Sequence, residues 1–549
     1  LKNNTKNSEP KEYKIMATDI QLHKQQAQEL SNKLWAIAND LRGTMDASKF
    51  KDYILGIIFY RFLSEKTEKY MEEILKNDGM TYADALASNN EELLAALDKY
   101  SLDSLGYIIR PEYSFGYIVN MIAGKYDGKV FSVDYLEKAI ASIQQSTLGQ
   151  KSEAAFDGIF DAMDLKDKDL GKEVSDRTKQ IAKVINRVND IEFSYDDAQF
   201  DVLGTGYMIL IGLFASDSGK KGGEFFTPSA VSELCCRLAT VGLKSVKNVC
   251  DPTCGSASML LEVRKAVIAN GGTAEHAVGH YYGQELNGTT YNLARMNMLM
   301  HDVPYQYFNL FNDNTLEKDN FGTTKFTVQV ANPPYSAKWS AASSFLDDPR
   351  FSGAGKLAPS SKADFAFVEH MVYHMDDDGR VAVLLPHGVL FRGGSEDTIR
   401  RYLIKDLNVL DAVIGLPANL FHGTGIPVCC LVLRKYRNGN AGNICFIDAS
   451  KYFTPGKNMN QLSSDDIDRI VNAYVERKDI DKFCHVATME EIESNDYNLN
   501  IPRYVDTFEE EEEIDIKAVM AEIKDLESQR ANLDAEINKY LKELGILED

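Results

Sequence analysis

The sequence lacks any excess of positive charge. Against 60 Lys and Arg stand 82 Asp and Glu, a formal net charge of −22. Proteins that hold nucleic acid unaided take much of their affinity from Lys and Arg on phosphates. Either such a role needs a basic partner here, or the acidic balance serves only solubility. The eight cysteines include no CxxC pair and no nearby Cys/His quartet. That argues against any metal site and for reduced, buried thiols in a cytoplasmic protein. No apolar run reaches the roughly 20 residues of a membrane span, and the start lacks the charged-then-apolar order of a signal peptide. No membrane role is therefore expected. The polar stretch 1–15 precedes the first methionine, Met16, and reads as an upstream extension outside the fold.

What is present suffices for large cores. Hydrophobic residues make up 44% and aromatics 10% of 549 residues, a length that divides into about three units. Between residues 21 and 71 apolar residues recur at helical spacing, as in Leu30, Leu34, Ile37 and Leu41, then Ile54, Ile57, Ile58 and Phe62. Similar segments around 91–97, 133–143 and 179–188 predict an all-helical domain over 16–190. After Gly222 short apolar runs ending in Gly, Pro or Asn alternate with helical stretches, the pattern of an α/β domain. Seven strands are predicted, at 246–250, 281–284, 326–330, 381–385, 409–414, 428–433 and 444–447. They suit a Rossmann-like, largely parallel sheet over 191–475. A tail over 476–549 holds the acidic run 509–513. Beyond it Val519, Ile523, Leu526, Arg530, Leu533, Ile537, Tyr540 and Leu544 follow in steps of four and three. That spacing makes either a coiled-coil seam for a partner or an amphipathic helix folded back on its own domain.

Four segments carry chemistry. In the first, Val249-Cys250-Asp251-Pro252-Thr253-Cys254-Gly255-Ser256-Ala257-Ser258 is a strand, a small-residue turn and a helix start, where backbone can approach a ligand closely. Such a turn can also bind phosphate, but the Walker lysine is absent and the glycine spacing is not the dinucleotide fingerprint. One strand-helix unit later, Glu285 stands at a strand end, where a carboxylate can accept both hydroxyls of a ribose. Upstream, Glu224-Phe225-Phe226-Thr227-Pro228 precedes a predicted helix. Thr227 is the expected N-cap and Pro228 the first helical residue. The segment is either a capped helix with buried phenylalanines or a lid over the cofactor.

The sharpest signal is Asn332-Pro333-Pro334-Tyr335 at the end of an apolar strand. An amine conjugated to a ring is a poor nucleophile, and two acceptors must draw its protons. The side-chain oxygen of Asn332 and the carbonyl of Pro333 can do so, with consecutive prolines fixing the backbone. Tyr335 can stack on a base that has left its duplex. Transfer from a sulfonium donor can then be direct and in line. No Pro-Cys pair exists to serve as the nucleophile of a cytosine-carbon enzyme. Residues 336–362, with Lys338, Trp339 and Arg350 among Ser, Gly and Ala, read as a DNA-contacting lid or a flexible linker.

In the order EFFTP, DPTCGSAS, QELN, NPPY the sequence resembles the adenine amino-methyltransferases. The opening LWAIANDLRGTMDASKFKDYILGIIFYRFLS, the ADFAFVEHM helix, GRVAVLLPHGVLFRGG and GLPANLFHGTGIPVCCLVL look like the modification subunit of type I restriction-modification systems. The resemblance runs from about residue 21 into the terminal helix. It implies S-adenosylmethionine as cofactor, bound by residues 224–228, Asp251, Gly255 to Ser258 and Glu285, with Asp313 near its adenine. It further implies catalysis on a DNA adenine by Asn332 to Tyr335, with Phe421 beside the base. Implied partners are DNA, a specificity subunit embraced by two copies of this chain, and an endonuclease subunit. One departure is Ala257, where the family usually has a second glycine. Methyl transfer to a protein glutamine or an RNA amine, and a non-catalytic nucleotide-binding scaffold, are the rival readings.

Overall fold

The computed structural model describes residues 32–33, 47–191, 202–217, 227–421, 424–456, 459–507, 516–544 and 546. The extension 1–15, the apolar positions Leu30, Leu34, Ile37 and Leu41, the residues Glu224 to Phe226 and the acidic run 509–513 lie outside them. Two compact units are present, 1–505 and 506–549.

The first unit is built on one nine-stranded sheet in the order β3-β2-β1-β4-β5-β7-β6-β8-β9. Its strands are β1 (Val249–Asp251), β2 (Tyr281–Gln284), β3 (Phe308–Phe311), β4 (Phe326–Ala331), β5 (Met375–Pro386), β6 (Leu410–Gly415), β7 (Val428–Arg434), β8 (Asn443–Asp448) and β9 (Cys484–Thr488). Strands β3, β2, β1, β4 and β5 run parallel, as do β6 and β8. Strand β7 is antiparallel to both its neighbours, and β9 to β8. The chain winds outward from β1 to β3, then crosses back so that β4 pairs with β1. The crevice at the carboxyl ends of β1 and β4 is thus the topological switch point, where open α/β sheets bind ligands. Both chemistry-bearing turns emerge there.

All seven predicted strands form, and two more join them. β3 has only four residues, and β9 is a polar-start edge strand, Cys-His-Val-Ala-Thr, so neither makes a strong apolar run. Because β9 pairs with β8, the expected division after residue 475 falls too early. Leu499, Ile501, Tyr504 and Val505 are buried too, and the Tyr504 ring stacks 3.8 Å from that of Phe446.

The helical part does not stand apart after residue 190 either. A single apolar core runs from Phe50 through the helices into the sheet as far as Cys484. Its axis is the helix Ala47–Leu75, on which Ile54, Ile57, Ile58, Phe59 and Tyr60 are all 0% exposed. A helix apolar all round must be packed on every side. Arg61 caps one neighbour, donating from Nη1 to the carbonyls of Val188 and Ile191. The join to the sheet runs through the helix Gly288–Met300. From it Asn292 donates to the carbonyl of Gly158, and buried Arg295 to that of Ala154.

The second unit contains the helix Ile516–Glu543. Val519, Ile523, Leu526, Leu533, Ile537, Tyr540 and Leu544 are all exposed. The apolar stripe foreseen by the heptad spacing therefore exists and is uncovered.

Candidate active site

The turn after β1 is held by hydrogen bonds from within and from neighbouring segments. Asp251, almost fully buried, accepts at Oδ1 from the Thr253 backbone N–H at 2.9 Å. Burial pushes its carboxyl up to about 7, the Thr253 bond opposing this and the nearby charge of Glu285 adding to it. Gly255 has φ 53° and Ala257 φ 63°, both left-handed. Ala257 immediately precedes the helix Ser258–Ala269 and is fully buried. The missing second glycine is thus an alanine held in a conformation that costs a non-glycine residue roughly 1–2 kcal/mol. The turn itself survives the substitution.

Glu285 follows β2 and reaches back across this turn. Its Oε2 accepts from the Gly255 N–H at 3.0 Å and its Oε1 from the Asn287 N–H at 2.8 Å. Burial raises its pKa, and these backbone bonds oppose the rise. Close approach explains Gly283 in β2, because a Cβ there would stand 2.8 Å from Leu310 and 2.9 Å from the Cys254 sulfur. Asn312 donates to the carbonyls of Glu285 and Leu286, which draws the segment after β3 to the same edge. Its neighbour Asp313 accepts at Oδ2 from Lys318 and Asn320, both at 2.8 Å, and these bonds lower its pKa. Thr315 bonds the Pro252 carbonyl. Neither Asn312 nor Thr315 was marked by the sequence pattern, since each acts through a backbone carbonyl in another segment.

At the end of β4, Asn332 is half-buried, Pro333 buried and Pro334 exposed. The Asn332 amide is oriented from two sides. Its Nδ2 donates to Thr227 Oγ1 at 3.1 Å, and its Oδ1 accepts from the Tyr335 hydroxyl at 2.7 Å. The Tyr335 ring lies edge-on to Phe421, centroids 5.9 Å apart, and burial holds its phenol far above the ordinary range. Three of the residues expected at the target base are therefore together. Tyr335, however, covers the acceptor instead of leaving an open stacking face.

Two expectations change. Thr227 is not an N-cap: the helix Ser229–Thr240 starts after Pro228, without a side-chain cap. The Thr227 hydroxyl serves Asn332 instead, and Pro228 takes the N-cap position. Residues 336–362 are not a loose linker or an open lid, because Trp339 stacks on Phe345 at 5.4 Å and Arg350 is only 8% exposed. The Arg350 guanidinium donates to Asp348 and to the carbonyls of Thr315 and Leu316. Of the three residues marked there, only Lys338 stays exposed.

A doubly wound sheet with a small-residue turn after β1, a carboxylate after β2 and Asn-Pro-Pro-Tyr after β4 defines a Rossmann-like methyltransferase of amino groups. Comparison with known proteins narrows the class. Residues 198–513 match the family model N-6 DNA Methylase, and residues 30–188 match the HsdM N-terminal domain. The chain is 37% identical over 488 residues to the type I restriction enzyme MpnII methylase subunit of Mycoplasma pneumoniae, covering 86% of this chain and 89% of that one. It is 25% identical over 497 residues to the MjaIX methylase subunit of Methanocaldococcus jannaschii, covering 87% and 84%. The crystal structure of a type I restriction-modification methyltransferase subunit from Streptococcus thermophilus superposes with a TM-score of 0.78 at 41% identity, over 87% of this chain and 99% of that one. The chain belongs to the N-6 DNA methylase family, in the branch of the type I methylase subunits.

Proposed function

We propose that this chain methylates the exocyclic amine of a DNA adenine flipped into the crevice between β1 and β4, with S-adenosylmethionine as donor. The observation that supports it best is the fixed amide of Asn332. With Nδ2 engaged by Thr227, Oδ1 is the atom left for a substrate N–H. The Tyr335 hydroxyl now donates to that oxygen, in the manner expected of an adenine N–H. An incoming amine displaces it, donating one N–H hydrogen bond to Oδ1 and the other to the Pro333 carbonyl. The nitrogen lone pair then gains density for attack. The nitrogen takes the methyl as the sulfonium carbon–sulfur bond breaks, and then loses one proton to solvent. Tyr335, once displaced, and Phe421 are placed to pack on the base.

The cofactor cradle fits its ligand. Each Glu285 carboxylate oxygen accepts one N–H and keeps a lone pair for a ribose hydroxyl. Ser256 Oγ is buried in the turn with no protein partner. When bound, S-adenosylmethionine supplies a methyl on a sulfonium leaving group. Thr227 ties the start of the helix Ser229–Thr240 to Asn332, and residues 224–226 lead into it as part of the donor site. Asp251 supports the turn, and Asp313 lies on the adenine side of the cradle.

DNA sequence selection belongs to a specificity subunit, bound by the uncovered stripe of the helix Ile516–Glu543, two copies of this chain per subunit. An endonuclease subunit completes the assembly. The charge of −22 fits a chain that leaves the main DNA grip to a partner. Among the described residues no helix is long and apolar enough to cross a membrane, and all eight cysteines are buried and free, as suits a cytoplasmic assembly. Incubation of labelled S-adenosylmethionine with plasmid DNA, RNA and the copurified specificity subunit tests the reading. Label is expected in DNA alone; label in RNA or protein instead would favour another amine, and no transfer a scaffold.

A further inference from the structure

Two motifs of the family pattern, Ala363-Asp364-Phe365 and Leu390-Phe391-Arg392, have no part in the chemistry above. They meet at the residue that follows the catalytic tetrapeptide. Asp364 begins the helix Asp364–Tyr373 and is 1% exposed. Its Oδ1 accepts from the Ser336 backbone N–H at 2.7 Å, and its Oδ2 from the Ser336 hydroxyl at 3.3 Å. The same Oδ2 accepts from Arg392 Nη1 at 3.2 Å, and Arg392 also donates to buried Glu396 at 2.8 Å. Arg392 reaches this place only because Gly388 lacks a side chain: a Cβ there would stand 2.2 Å from the Arg392 Nε.

A carboxylate this deep is costly unless paired and hydrogen-bonded, and helix initiation alone would not require it to face another segment. Ser336 has φ 49°, a left-handed conformation strained for serine. Its N–H points at the one buried carboxylate able to hold it there. We propose that Asp364 is a positioning residue for methyl transfer: it clamps Ser336, and so fixes the Pro333 carbonyl and Asn332 while the Tyr335 side chain swings between its closed and base-stacked positions. Arg392 balances the buried charge. Without the clamp, movement of Tyr335 would drag the tetrapeptide and misplace both acceptors.

The proposal rests on the adenine-methylating reading above. Its test uses the full methyltransferase assembled with its specificity subunit, saturating S-adenosylmethionine and DNA carrying 2-aminopurine at the target position for base flipping. In single turnover on natural DNA, D364A is expected to lose about 100-fold in rate, the size of a misplacement near 1 Å. Its dissociation constant for S-adenosylmethionine should stay within about twofold, and 2-aminopurine should still brighten, since only placement of the acceptors is disturbed. D364N keeps an oxygen for the Ser336 N–H and should lose only about three- to tenfold. If D364A does not fold, D364L, which fills the same space without an oxygen for the Ser336 N–H, replaces it with the same expected loss. A rate within about threefold of the parent in whichever of the two folds overturns the clamp. So does a D364N no better than D364A, or a loss carried by cofactor affinity. N332A is the control: a parent that methylates adenine through Asn332 while D364A is indifferent refutes the clamp alone, whereas a parent that never methylates adenine refutes the underlying reading.

Discussion

The Tyr335 hydroxyl donates to Asn332 Oδ1 at 2.7 Å, so the acceptor proposed for substrate is occupied by the aromatic proposed to stack on it. Removing the hydroxyl separates these two roles. Tyr335→Phe is expected to keep the single-turnover rate within about threefold of the parent and to flip 2-aminopurine more readily, since it frees Oδ1 at no loss of ring. Tyr335→Ala gives up stacking worth roughly 1–3 kcal/mol and should weaken productive DNA engagement about 5- to 150-fold. Equal losses in the two variants would show that the ring contributes nothing beyond its hydroxyl.

Ala257 sits at φ 63° where glycine is at ease. Ala257→Gly relieves a strain of roughly 1–2 kcal/mol, partly offset by the greater freedom of glycine in the unfolded chain. Thermal denaturation should therefore find the variant as stable as the parent or slightly more so, with no loss of S-adenosylmethionine affinity by calorimetry. A clear drop in Tm would mean that the alanine methyl contributes more in packing than it costs in the backbone.

Glu369 is 3% exposed, and neither carboxylate oxygen has a hydrogen-bond partner. Burial alone raises its pKa to about 9. The sign follows from linkage. Below about pH 4.5 the group is neutral folded and unfolded; between 4.5 and 9 the unfolded chain ionises while the folded one holds its proton, so stability falls as pH rises. Glu369→Gln cannot ionise. Its Tm should match the parent near pH 5 and exceed it by on the order of 5 °C at pH 8. A difference that does not vary with pH would place the carboxyl in a more polar setting than this structure gives it.

The stripe from Val519 to Leu544 is exposed along the helix Ile516–Glu543. Deleting everything after Asp515 removes it whole and leaves the unit 1–505 untouched. The shortened chain should no longer copurify with its specificity subunit while keeping S-adenosylmethionine affinity. Copurification equal to that of the full chain would mean that the docking surface lies elsewhere.

Much of the architecture was legible because strong strands announce themselves by composition: β7 is an apolar run up to Arg434, and β4 is largely apolar apart from Thr327 and Gln329. β3 and β9 escaped because their pairing partners, and not their own sequences, make them strands. The closeness of Gly255 and Glu285 was legible because both lie in short turns after adjacent strands. The pose of Tyr335 was not, since chemistry identifies the residue but says nothing of where its hydroxyl rests without substrate. Thr227 shows the same limit, for one hydroxyl suits a helix cap and an Asn332 clasp equally well on paper. Residues 336–362 misled for a different reason. Their Ser, Gly and Ala content resembles a mobile loop, yet Trp339, Phe345 and Phe351 make a local core, and Arg350 spends its donors on backbone. Irregular segments can bury themselves without any periodic signal.

The central claim is that Asn332 Oδ1 accepts a hydrogen bond from an adenine amine. Mass analysis of nucleosides from plasmid DNA, treated with the assembled enzyme and S-adenosylmethionine, tests it most directly. The parent should yield N6-methyladenine, and Asn332→Ala should yield at least about 100-fold less, the cost of losing one preorganised transition-state contact, with cofactor affinity unchanged. Undiminished N6-methyladenine from Asn332→Ala would contradict the account.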